Sequence, residues 1–171
     1  MIVMKEFIWY SDHFVFHITE EKNMLSIMEN GLLPLNGDRC KSIMDERQGV
    51  FCLDGLYNVE NWAEILYGKS DLETLKLLRF NLKRRKWYMD NSNPNAFGMY
   101  LPYKVLSNKL DYLKMIDSNG ENLPFTKLFD LDFIYKIDES FNNIENNKEI
   151  IIDNCSLSWE PIHQYKKQLK L

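Results

Sequence analysis

The sequence predicts an α+β domain, and three observations carry that prediction. Strand-like and helix-like segments alternate up to about residue 70, and strand-like runs return after about residue 130. The chain has 171 residues, of which 45% are hydrophobic and 13% aromatic, enough to bury one sizeable core. No internal repeat or clean domain boundary is visible, so residues 1–171 read as a single domain.

Taken in order, "FVFHIT" (Phe14 to Thr19) is β-branched and aromatic and predicts a strand. Glu20 to Asn30 carries Met24, Leu25, Ile27 and Met28 at helical spacing. Thr19 is placed as its N-cap, Lys22 leaves the capping box incomplete, and Gly31 is placed as the C-cap. Pro34 to Gln48 is polar and reads as a loop. "GVFCL" predicts a second strand, and "NVENWAEILYG" a second amphipathic helix closed by Gly68. "LETLKLLRFNL" starts with helical and ends with strand character, "NSNPNAFG" is a loop, and "KLDYLKMID" runs into a turn at "DSNGE". "LDFIYKID" and "KEIIIDN" predict strands, and "SLSWEPIHQYKKQ" predicts a polar tail.

Composition excludes several function classes. The net charge of −4 provides no global attraction to nucleic acid or anionic membrane, although the local run "KRRKWY", Lys83 to Tyr88, mixes cations and aromatics as a single-stranded nucleic acid site would. The alternative for that run is a solvated face. Cys40, Cys52 and Cys155 are odd in number and form no C-x-x-C pair, which argues against a disulfide framework and a zinc site. The start lacks the features of a signal peptide, and no apolar run reaches the length of a membrane span. The expectation is a soluble, cytoplasmic chain with no membrane partner. Dinucleotide and P-loop fingerprints, the H-E-x-x-H zinc motif and the G-x-S-x-G elbow are all missing.

His17 then stands out: one of three histidines, it sits inside an apolar strand, on the same face as the hydroxyl of Thr19. Its ordinary alternative is a core histidine satisfied by a backbone carbonyl. With "ENGLLP", with "GVFCL" leading to Trp62, and with Glu149 in "KEIII", the order of elements resembles the ADP-ribosyltransferase superfamily. There a first strand bears a histidine followed by a short polar residue, a helix ends in Gly-Leu, a "G-[VI]-[YF]" strand leads into a helix carrying an aromatic, and a late strand begins with glutamate. "FHITEEKNMLSIMENGLLP" is especially similar to bacterial ADP-ribosyltransferases of the DNA-modifying toxin type. The resemblance covers residues 14–68 and, more loosely, 145–162, while 70–144 match no named pattern.

That resemblance implies two packed central β-sheets flanked by helices, NAD as co-substrate with no metal, and transfer of ADP-ribose to a macromolecule, either a nucleic acid base or a protein side chain. It also implies a toxin or phage-conflict setting, with an antitoxin-like partner. By the same resemblance His17 and Thr19 hold the adenine-side ribose and the Ile18 backbone pairs with the nicotinamide amide. Trp62 stands where a tyrosine usually stacks on the nicotinamide ring, with Tyr57 and Tyr67 as competitors and a buried helix-face aromatic as the alternative. Arg39 and Arg47 lie in the loop where the toxin-like relatives carry a functional arginine, which clamps the pyrophosphate or bears on the acceptor; Arg47, just ahead of the strand, is preferred for the catalytic role and Arg39 is placed with the cofactor, against a reading of both as solvated loop charges.

Glu149 is the expected catalytic carboxylate. Cleavage of the bond from ribose to nicotinamide passes through an oxocarbenium-like state that an ionised carboxylate stabilises. The alternative is an edge-strand charge that discourages aggregation. Glu145 and Glu160 are weaker claimants, and Asn147 occupies the polar position two residues before Glu149. Two rival functions stand beside transfer: an RNA 2′-phosphotransferase-like enzyme, and a catalytically silent binding or inhibitor protein of the same fold. Geometry separates these readings, since an active transferase requires His17, Trp62 and Glu149 to face one cleft.

Overall fold

A computed structural model describes residues 5–34, 49–90 and 98–168. These form an α+β arrangement of two antiparallel sheets with short helices. The first sheet contains β1 (Lys5–Ile8), β5 (Lys86–Asp90), β6 (Gly98–Leu101) and β3 (Val50–Cys52), in that spatial order. The second contains β2 (Phe14–Thr19), β4 (Lys76–Asn81), β7 (Asp111–Ile116), β9 (Cys155–Pro161) and β8 (Glu149–Ile152), also in spatial order. A two-way backbone bridge between Phe16 and Leu53, at 2.8 and 2.7 Å, ties the edge of the second sheet to the end of β3.

Where the sheets meet, strands are buried on both faces. Val15 of β2 and Leu78 of β4 enter one apolar cluster, whereas Phe16, Ile18 and Leu77 enter the other. Double burial favours continuous apolar runs over polar–apolar alternation, which explains the ambiguous period of "LKLLRF". Helix α1 (Met24–Asn30) puts Met24 and Ile27 on the first cluster, following a short 3-10 turn at Glu21–Asn23. Neither turn has a side-chain cap, so the expected Thr19 cap does not form. Helices α2 (Val59–Tyr67), α3 (Leu131–Lys136) and α4 (Glu139–Asn143) cover the second cluster through Trp62, Phe133, Ile134 and Phe141.

Two expectations are corrected. "LDFIYKID" forms α3 instead of a strand, because Asp130 caps it by accepting from Asp132 N and Phe133 N at 3.0 and 3.3 Å, and Phe133, Ile134 and Ile137 share a helical face turned to the core. "SLSWEPIHQYKKQ" is no tail: β9 lies between β7 and β8 and buries Leu157 and Trp159 completely. Asp153 and Asn154, with φ of 51° and 64°, make the tight turn that returns β8 into β9, and Asp and Asn tolerate the left-handed region better than most residues.

Buried Arg79 of β4 fastens the α4–β8 segment to the sheet. Nε donates to Asp111 at 3.1 Å, and the two terminal nitrogens donate to the carbonyls of Asn142 and Ile144 at 2.8 and 2.6 Å. The rings of Phe14 and Trp159 flank the guanidinium at 4.2 and 4.7 Å. No helix among the described residues is long and apolar enough to cross a membrane.

Candidate functional site

Side chains alternate along β2, so Val15, His17 and Thr19 face α1 while Phe16 and Ile18 face the opposite cluster. Beyond Val15 this face opens into a cleft of about 310 Å³. His17, Ile18 and Thr19 line one side, Asn23, Ser26 and Ile27 the α1 side, and Phe51 with Tyr67 the wall from β3 and α2. The cleft thus includes His17, Ile18 and Thr19, three of the five residues that the resemblance assigns to the cofactor.

The polar contacts define what this cleft can hold. His17 Nδ1 lies 2.7 Å from the carbonyl oxygen of Phe51, and since a carbonyl only accepts, Nδ1 carries the proton. Burial lowers the His17 pKa below its ordinary value of 6.5, partly offset by that hydrogen bond, so the imidazole is neutral and Nε2 is an acceptor. An acceptor nitrogen beside the Thr19 hydroxyl suits a ligand bearing hydroxyl groups. The Phe51 bond also realises the ordinary core-histidine role for one ring nitrogen, and the cleft exposure leaves the ring a second one. Because Phe16 bonds outward to Leu53, Ile18 projects its N–H and C=O to that same edge of β2. There the Tyr67 hydroxyl donates to Ile18 O at 3.1 Å and occupies the carbonyl expected to meet an amide.

Trp62 and Glu149 are not brought into this cleft. Trp62 is 2% exposed and packs on Phe51 with ring centroids 4.4 Å apart, so it is a core aromatic, and Tyr67 lines the cleft in its place. Glu149 opens β8, the exposed far edge of the second sheet, and β4, β7 and β9 separate it from β2. At about 4.8 Å per strand that is roughly 19 Å across the sheet, which corrects its expected position beside His17. Its geometry matches the edge-strand alternative. Glu160 sits on β9, where it accepts from Ser158 Oγ, and the Asn147 N–H bonds to Trp159 O on the same strand, so neither meets the cleft. Glu145, between α4 and β8, does not line it either.

Arg39 and Arg47 lie outside the described residues. The basic run forms the β4–β5 turn and start of β5: Lys83 approaches Asp12 at 3.8 Å, Lys86 approaches Glu6 at 3.5 Å, and Arg85 lies over Tyr103 at 3.7 Å. Among the described residues no group of three His, Cys, Asp or Glu side chains could hold a metal ion. Asn23 and Ser26 were not distinguishable in the sequence from other polar residues of an amphipathic helix. The Phe51 carbonyl that fixes the His17 tautomer carries no sequence signal at all.

The His17 environment predicts a pH dependence. An unfolded chain takes up a proton on this imidazole near pH 6.5, whereas folded His17 resists protonation until a lower pH. Between those values the unfolded state binds more protons, so the stability contribution is full above about pH 6.5 and is lost as the pH falls through the folded pKa. Melting temperatures from about pH 8 to about pH 5 should therefore fall more for the wild type than for His17→Asn, whose amide keeps a donor toward Phe51 but does not titrate. Parallel curves would remove His17 as the source, since the other two histidines are unchanged in the variant. No protein-family model matches this chain, and neither a curated protein nor a solved structure matches it.

Proposed function

We propose that this chain binds NAD in the β2–α1–β3 cleft, as a protein of ADP-ribosyltransferase type. The observation that carries this reading is the convergence of His17, Ile18 and Thr19 with Tyr67 on one cleft. A neutral imidazole acceptor, a hydroxyl and an aromatic ring together suit a ribose and a flat heterocycle.

The catalytic side divides into two readings. Transfer of ADP-ribose to a nucleic acid base or protein side chain rests on the order of the motifs alone, because the requirement that His17, Trp62 and Glu149 face one cleft is not met. The silent binding or inhibitor reading is favoured by a specific observation: the cleft is lined by no carboxylate among the described residues, and Glu149 stands at the far sheet edge. The geometry therefore supports NAD binding without a catalytic role for Glu149.

Thermal shift measurements with NAD test the binding directly. Millimolar NAD should raise the wild-type melting temperature by mass action, His17→Ala should weaken that response, and Glu149→Gln should leave it unchanged. A wild type with no NAD-dependent shift would remove the cofactor assignment. Nicotinamide release by the wild type, with protein, DNA and RNA acceptors present, separates the two readings. Turnover that survives Glu149→Gln would establish a transferase with another carboxylate, turnover lost in that variant would return Glu149 to the mechanism, and no turnover would establish the silent binder.

A further inference from the structure

A second and more spacious cleft, about 790 Å³, lies on the opposite face of β2 where Phe16 instead of His17 points. Three separate segments wall it: the β1–β2 connection with Asp12 and His13, the β3–α2 connection with Asp54 and Tyr57, and the α3–α4 region with Tyr135, Asp138, Glu139 and Asn142.

Its aromatic groups are unusual in being uncovered. Tyr57 and Tyr135 are 59% and 69% exposed, yet their ring centroids stand 5.5 Å apart at 51°, so two segments remote in sequence hold a pair of aromatic faces in water. Core packing gives no reason for that exposure. Beside them the cleft presents mainly acceptors. Asp54 receives His13 Nε2 at 2.6 Å, and the His13 ring is in turn stacked on Trp9 at 3.5 Å, which anchors that wall. The lining ammonium of Lys136 is turned to Asp153, 3.1 Å from both carboxylate oxygens, and Asp12 has Lys83 at 3.8 Å and an amide hydrogen bond from Asn81. Asp138 accepts from Ser140 N, and Glu139 completes the carboxylates.

Exposed aromatic faces beside carboxylates select a cation that donates hydrogen bonds. Guanidinium fits better than ammonium, since it is planar, stacks on tyrosine and pairs bidentately with carboxylate. Carboxylates spread over three walls suit a chain with several such groups more than one small cation. We infer that this cleft, framed by Tyr57, Tyr135, Asp54 and Glu139, is the docking site for an arginine-bearing peptide segment of a partner protein. The site is independent of the NAD reading.

Calorimetric titration of the full chain with an oligoarginine peptide at low ionic strength tests this, with no NAD present. The wild type should bind, and both Tyr135→Ala and Asp54→Asn should weaken binding by about fivefold or more, the scale of one cation–aromatic or charged contact. Glu121→Gln, which removes one exposed carboxylate away from the cleft, should not. Circular dichroism confirms that each variant is folded; Tyr135 is exposed enough that its removal leaves the core intact. An absence of wild-type binding would overturn the inference. So would losses equal in Glu121→Gln, which would show general attraction to an acidic protein, and so would spermine binding as tightly as the peptide with the same variant losses, which would assign the cleft to free polyamines.

Discussion

Arg79→Met is expected to cost about 3–5 kcal/mol of folding stability, the scale for stranding one member of a buried ion pair. Arg79 is 1% exposed and satisfies three acceptors at once, the Asp111 carboxylate and the carbonyls of Asn142 and Ile144. Its burial lowers its pKa, opposed by the hydrogen bond to and charge of Asp111, yet an arginine keeps its proton at any working pH. Methionine would fill the slot between Phe14 and Trp159 but leave Asp111 with a hydrogen bond from Asn146 alone and two carbonyls without donors. A domain of this size has about 5–15 kcal/mol in total, so the loss should lower the melting temperature by roughly 10 °C.

Two comparisons identify the cause of that loss. Arg79→Lys retains the charge but not the planar fork, and should lose stability too, though less. Arg79→Met with Asp111→Asn removes the stranded charge, so its destabilisation should be smaller than the sum of the two single changes. Urea unfolding with an unchanged slope is the measurement. An Arg79→Met variant as stable as the wild type would mean that Phe14 and Trp159 carry the contact by packing alone.

The parts of the fold that were legible in the sequence are those decided by local chemistry. Phe14 to Thr19 reads as a strand from its residue types, and Gly31 and Gly68 mark helix ends because both need positive φ. "LDFIYKID" reads as a strand because its alternation resembles a half-buried one, whereas the deciding signal is one capping aspartate, Asp130, just outside it. The insertion of β9 between β7 and β8 is decided by pairing between strands separated by about forty residues, which no local window contains.

The candidate site divides in the same way. His17 and Thr19 share a face because neighbouring side chains alternate, a purely local fact. Trp62 and Tyr67 both lie on α2, five residues and so about 140° apart around the helix. Which of them turns inward depends on what packs beside the helix: Phe51 takes Trp62, and Tyr67 is left to reach Ile18. Glu149 fails for a longer-range reason. Its strand begins as expected, but strand order in the sheet, invisible in the sequence, sets its distance from His17.

Gly31 joins fold and cleft, and Gly31→Ala should cost about 2–4 kcal/mol and weaken the NAD response. Gly31 has φ 74° and ψ −168°, a region occupied almost only by glycine, and an added Cβ would collide with the carbonyl oxygen of Val105. That oxygen belongs to backbone and accepts from Leu32 N at 2.8 Å, with Val105 N returning a bond to Leu32 O at 2.9 Å, so relief requires breaking the bridge that anchors the end of α1. Gly68 provides the control: its φ is 79° and ψ −162°, yet nothing lies within 4 Å of an added Cβ, so Gly68→Ala should cost only the backbone strain, about 1–3 kcal/mol and less than Gly31→Ala. The difference between the two variants in urea unfolding isolates the Val105 contact. Because Gly31, Leu32 and Ile27 line the cleft, a displaced α1 should also reduce the thermal shift given by NAD, whereas Gly68→Ala should preserve it. Equal stability losses in the two variants would mean that the chain yields at Val105 without cost, and α1 would then not be a fixed wall of the cleft.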